Sequence, residues 1–140
     1  MNLSGIVSQM EQVEGLSGNV QIGQPATLAG IANGLYGWLT DVLETAGPSG
    51  RIGVPSLQRM ECRIGITLGA TDLDTLLTAR DAVRIQLIDY QPETDSSGDP
   101  LQFRGGRLDF LDPGWVLWRD EYAFSYYIDM NNLPTPPEEP

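Results

Sequence analysis

Apolar residues recur along this chain with two different periods, and the switches between them mark out its elements. Over residues 2–14, Leu3, Ile6, Val7, Met10 and Val13 stand at the three- and four-residue spacing that places them on one side of a helix. Asn2 or Ser4 supplies a cap and Gly15 a stop. Residues 20–22 read as a short strand, ended by Gly23 and Pro25. From 60 to 68 the period is two: Met60, Cys62, Ile64, Ile66 and Leu68 fall on one face, and Glu61, Arg63 and Thr67 on the other. That is a strand with one buried side. Asp72 then caps a helix that runs to about Asp89, with Asp74 adding negative charge to its first turn. Residues 103–111 and 116–130 predict two strands joined by Asp112, Pro113 and Gly114, an antiparallel hairpin. Tyr122, Phe124, Tyr126, Ile128 and Met130 line one side of its second arm.

Between residues 27 and 45 the two periods compete. Leu28, Ile31, Leu35, Trp38 and Val42 fit a helical stripe, while Tyr36, Trp38, Thr40 and Val42 fit an alternating strand. Gly30, Gly34 and Gly37 would each cost a helix interior about 1 kcal/mol relative to alanine, and β-favouring residues cluster after 35, so the expectation is a loop followed by a strand. Gly47, Pro48, Ser49, Gly50 and Gly53 predict a loop. The elements sum to an α+β fold: a mixed, mostly antiparallel sheet of about four to five strands with two helices packed on one face. One domain occupies residues 1–130. Residues 131–140 (NNLPTPPEEP) are too rich in proline and acid to build a core, and are expected to extend as a tail whose removal leaves the fold intact.

On the second helix Leu73, Leu76, Leu77, Val83, Leu87 and Ile88 form the apolar stripe, with Arg80 and Arg84 near its centre. Two accounts fit an arginine pair in that position. Either each guanidinium snorkels to the rim or pairs with a carboxylate of its own chain, or this face meets a neighbouring subunit, where arginine pairs bidentately with carboxylates. Residues 91–100 (QPETDSSGDP) predict a mobile acidic loop. Its Asp95 and Asp99, with Arg80 and Arg84, are the candidate subunit-interface residues.

Composition narrows the chemistry. The chain has 19 acidic and 8 basic residues, all eight of them arginine, with no lysine, no histidine and a net charge of −11. Without histidine there is no Ser-His-Asp or Cys-His pair, and without lysine no Schiff base and no phosphate-loop lysine. A zinc site would have to be made from Cys62 and carboxylates alone, a poor ligand set. Cys62, the only cysteine, sits in an apolar run and reads as a small buried hydrophobe. The segment DSSGD at 95–99 lacks the terminal bidentate glutamate of a calcium loop. Carboxylate-only catalysis stays formally open, but the acids fall in turns, caps and polar strand faces, where solvation accounts for them. The expectation is no enzyme, no cofactor and no metal. So acidic a surface repels phosphate, which argues against tight nucleic-acid binding and against docking on anionic lipid. No run reaches the roughly 18 apolar residues of a membrane span, and no basic stretch precedes an apolar one at the N-terminus, so a soluble chain is expected.

The order helix, short strand (GLSGNVQIG), second strand, loop, strand (RMECRIGITLG), helix (DLDTLLTARDAVRIQL) and closing aromatic hairpin with Trp118 ahead of YAFSYYIDM resembles the tail-terminator, or tail-completion and neck, proteins of long-tailed bacteriophages. The resemblance covers about residues 1–130 and departs over 26–55, where glycines obscure a strand pair, and in the proline-rich tail. It implies a hexameric ring, made in the host cytoplasm and carried in the virion. The ring caps the tail tube, joins it to the head-side connector protein and is not an enzyme. An acidic lumen would let DNA slide through without gripping it. Two alternatives stand beside it: another head-tail connector, tube or baseplate component, and, in a different class, an acidic DNA mimic that inhibits a nucleic-acid-binding protein.

Overall fold

The computed structural model describes residues 3–25, 27–28, 31–32, 34–49, 57–92, 98–109 and 114–129, of which 47–49, 57 and 129 are described as backbone only. In chain order the elements are α1 (Leu3–Met10), β1 (Val20–Ile22), β2 (Leu35–Ser49), β3 (Leu57–Ala70), α2 (Leu73–Leu87), β4 (Gln102–Asp109) and β5 (Val116–Asp129). The strands form one five-stranded mixed sheet in the order β1-β2-β3-β5-β4. β1 runs parallel to β2, and the other three pairs are antiparallel. The α+β class and the pair of helices agree with the expectation.

The alternation in β3 decides which side the helices cover. Cys62, Ile64, Ile66 and Leu68 face the helices together with Tyr122 and Phe124 of β5, and they pack on Ile6 and Met10 of α1 and on Leu76, Ala79, Val83 and Leu87 of α2. Burying each large side chain of this kind contributes roughly 1.5–3 kcal/mol. Cys62 is fully buried and behaves as the small hydrophobe its context predicts. α2 begins at Asp72, whose carboxylate accepts from the Thr75 N–H and hydroxyl, both at 2.9 Å, satisfying a donor of the first turn. Its buried line is narrower than the predicted stripe: Leu73 and Ile88 are both 41% exposed, while Ala79 lies inside.

The other side of β3 carries Gly65, Thr67 and Gly69, and this lack of bulk shapes the opposite face. A Cβ on Gly69 would lie 2.6 Å from Leu117 and 2.8 Å from Trp38. The flanking strands therefore fold large side chains over the middle one, and Leu28, Trp38, Trp115 and Leu117 form a second, smaller core there.

Three boundaries differ from the sequence reading. α1 stops at Met10 rather than 14, after which the chain tightens into i→i+3 turns, Val13 N–H to Met10 O and Leu16 N–H to Val13 O, both 3.0 Å, that still bury Val13 and Leu16. β2 begins at Leu35 as expected but runs on through Gly47 and Pro48 to Ser49, positions that read as loop. A proline is tolerated there because the ladder is irregular between Ala46 and Ser49, and no described strand pairs with that stretch from the far side. β3 starts at Leu57, three residues before the alternation becomes clean. The tail at 131–140 lies outside the described residues.

Candidate assembly interface

Three features bear on function: a buried ion pair under α2, an open polar sheet face, and a strand edge without a partner among the described residues. The first comes from a carboxylate on the helix-covered face of β5. Asp120 stands between Trp118 and Tyr122 in the apolar alternation and is 4% exposed. Arg80 reaches it with Nε at 3.0 and 3.2 Å and Nη2 at 3.0 Å, a two-pronged pairing, and Trp118 Nε1–H donates to the same carboxylate at 2.9 Å. The Arg80 guanidinium lies 4.3 Å from the Trp118 ring centre. Opposite Asp120 in β4 stands Gly106, where a Cβ would run into the Asp120 carboxylate and lie 2.8 Å from Trp118 Nε1. Arg84 sits 4.7 Å over Phe103 and 3.7 Å from Asp81. Its Nε and the Tyr122 hydroxyl are buried with no hydrogen-bond partner among the described residues. Burial, and then the Asp120 charge, push the Tyr122 phenol well above its ordinary range.

Across the sheet, the open face is charged and mixed. Arg119 of β5 reaches over Gly65 to pair with Asp41 of β2, and a Cβ on Gly65 would lie 3.2 Å from the guanidinium. Further along, a depression of about 480 Å³ is lined by Arg59, Arg63, Arg104, Glu61, Asp99 and Glu121 among others. Arg59 holds Ser125 Oγ at 3.2 Å and Glu61 at 3.6 Å. Acids and arginines alternate here, so this face does not concentrate the chain's negative charge.

The third feature is the outer half of β2. β1 is three residues long and pairs only with Gly37–Leu39, and Gly23 N–H closes the contact on Leu39 O at 2.7 Å. A bulge at Thr40 follows, and from Asp41 to Ala46 every residue is exposed, including Val42 at 41% and Leu43 at 55%. At the opposite margin of the sheet, β4 is paired on one side only among the described residues.

The fold has a solved likeness. A chain from the virion of a native gene transfer agent particle superposes with a TM-score of 0.59 at 16% identity, covering 90% of this chain and 93% of that one. At that identity the likeness shows a shared fold. No family model matches the chain, and no curated protein sequence matches it significantly.

The structure separates the four interface candidates. Arg80, with its side chain 14% exposed, is paired inside its own chain, as the first of the two accounts had it. Arg84 is 30% exposed at the side chain and shares its surroundings with Asp81 and Phe103 of the same chain. Asp99 is exposed, donates its backbone N–H to Ser125 O at 2.8 Å and lines the charged depression; Asp95 lies outside the described residues. Sequence reasoning missed Asp120, whose signal was present, since an acid in the apolar alternation of β5 needs a cation as much as an arginine in the stripe of α2 needs an anion. It also missed the Asp41–Arg119 pair and the bare edge, which depend on strand order. Among the described residues no cluster of His, Cys, Asp or Glu is placed to hold a metal ion, and no helix is long and apolar enough to cross a membrane.

Proposed function

We propose that this chain is a structural subunit of a phage-like virion, and within it the tail terminator: a closed, hexameric ring that caps the tail tube and joins it to the head-side connector. The observation that carries this reading is the likeness, over nine-tenths of both chains, to a chain of a gene transfer agent virion. The layout of elements that resembles tail terminators supports the finer assignment. So does the form of the surface, since a ring needs two different complementary patches on each subunit, and among the described residues one sheet margin is bare and the other is paired on one side only. In this reading the chain is not an enzyme and takes no cofactor, and Arg84 and Asp99, both reachable from outside, stay candidates for charged contacts between subunits. An acidic DNA mimic would concentrate carboxylates on one face, whereas arginines interleave with them on the open face of this sheet.

Electron microscopy of the purified chain, with native mass spectrometry, tests the proposal. Closed rings of a single stoichiometry are expected. Open-ended stacks would make it a tube subunit instead. A chain that stays monomeric at millimolar concentration, and binds a basic DNA-handling protein in a salt-sensitive way, would overturn the ring and favour the mimic.

A further inference from the structure

Resting on the ring reading, we infer that the subunits join by sheet extension: the bare edge of β2 beyond Thr40 receives β4 of the next copy as an antiparallel strand. Strand direction is the first argument. β2 is antiparallel to β3, β3 to β5 and β5 to β4, so β2 and β4 run in opposite senses. A copy related by rotation alone, with no turning over, therefore presents β4 to β2 in the antiparallel sense that forms the better ladder.

The second argument is level. Through the registers Asp109↔Leu117↔Gly69↔Tyr36 and Gln102↔Ala123↔Arg63↔Leu43, β4 stands level with residues 36–43 of β2, where β1 occupies part of the edge. To clear β1, the incoming strand slides about four pairs, or about 13 Å at 3.3 Å per residue, so that Asp109 stands opposite Asp41. Each subunit contributes four strands between one such junction and the next, about 19 Å across at 4.8 Å per strand. The slide and the width together tilt the strands by about 35°, within the roughly 35–45° at which sheets close on themselves.

The third argument is the chemistry this register brings together. Leu108, 37% exposed, falls opposite Val42, 41% exposed, both on the helix side of the sheet. Arg107 falls opposite Leu43 and diagonal to Asp41. Asp109 and Asp41 meet, but each already has a cation, Arg107 at 3.4 Å and Arg119 respectively. Arg107 and Asp41 lie on the same, open face of the sheet, so this register sets a cation of the β4 edge beside a carboxylate of the β2 edge. Gly106, opposite Glu44, offers the incoming backbone no side chain to avoid.

A disulfide reads this pairing directly, because Cα atoms in opposed strands stand about 4.5–5.5 Å apart, within disulfide reach. The full chain carrying Val42→Cys and Leu108→Cys should, on mild oxidation, lose most of its monomer band on non-reducing gels and run as a ladder of multiples. Each single variant should keep its monomer band, which controls for buried Cys62. Leu43→Cys with Leu108→Cys, whose thiols face opposite sides of the sheet, should cross-link at least tenfold less. Rings by microscopy without a Val42–Leu108 cross-link overturn the edge pairing alone. A chain that remains monomeric overturns the ring and the pairing together.

Discussion

Replacing Arg80 by alanine removes the cation from the most enclosed ionic contact among the described residues, and the structure sets the size of the effect. Asp120 and Arg80 side chains are 5% and 14% exposed, so the solvent screening that makes most surface ion pairs worth little is largely absent. The variant leaves Asp120 with the Trp118 Nε1–H as its one remaining side-chain donor among the described residues. Stranding a buried charge in this way costs about 3–5 kcal/mol, against a stability of about 5–15 kcal/mol for a typical domain. With an unfolding entropy of about 2.1 cal/mol/K per residue, a chain of this length should lose about 10–17 °C in Tm. Urea unfolding followed by tryptophan fluorescence, alongside calorimetry, measures it. The volume-matched pair Arg80→Met with Asp120→Leu should recover at least half of the loss, because no charge is then stranded. A loss below about 1 kcal/mol for Arg80→Ala, or a double variant as unstable as the sum of its two singles, would refute the reasoning.

Two further outcomes follow from ionisable and polar groups. Tyr122→Phe removes a buried hydroxyl that has no partner among the described residues, so urea unfolding should show no loss and a gain of up to about 1 kcal/mol. Because the native phenol is harder to ionise than the unfolded one, its contribution holds below about pH 10 and fades as pH rises further, so the same variant should blunt alkaline unfolding. Asp72 behaves in the opposite sense. The Thr75 N–H, and then the Thr75 hydroxyl, hold its carboxyl below the ordinary aspartate range, so its contribution is complete above about pH 3.9 and is lost as pH falls through the lowered value. Asp72→Asn keeps the cap and removes the titration, and acid unfolding monitored by circular dichroism should lose that part of its pH dependence.

Much of the fold was legible because period and capping act locally. The alternation from Met60 to Leu68 and the cap at Asp72 each need only a few neighbouring residues to be read. β2 was harder, since whether Gly47 and Pro48 belong to a strand depends on the partner opposite and on what lies along the far edge. The parallel seat of β1 depends likewise on a connection whose path is set by packing. For the interface, the sequence posed the right question at Arg80, and the answer lay forty residues away in Asp120. The bare edge of β2 could not be seen at all before the strand order was known.

The small residues on the open side of β3 carry one more consequence. Gly65 is the gap through which a guanidinium of β5 touches a carboxylate of β2, so a single charged contact spans three strands and skips the middle one. Sliding β3 by one position would put Ile64 or Ile66 in that gap and turn Gly65, Thr67 and Gly69 toward the helices. Misaligned forms of the sheet would thus lose their charge contact and their hydrophobic filling in the same step, which leaves the folding chain few alternative alignments of comparable energy.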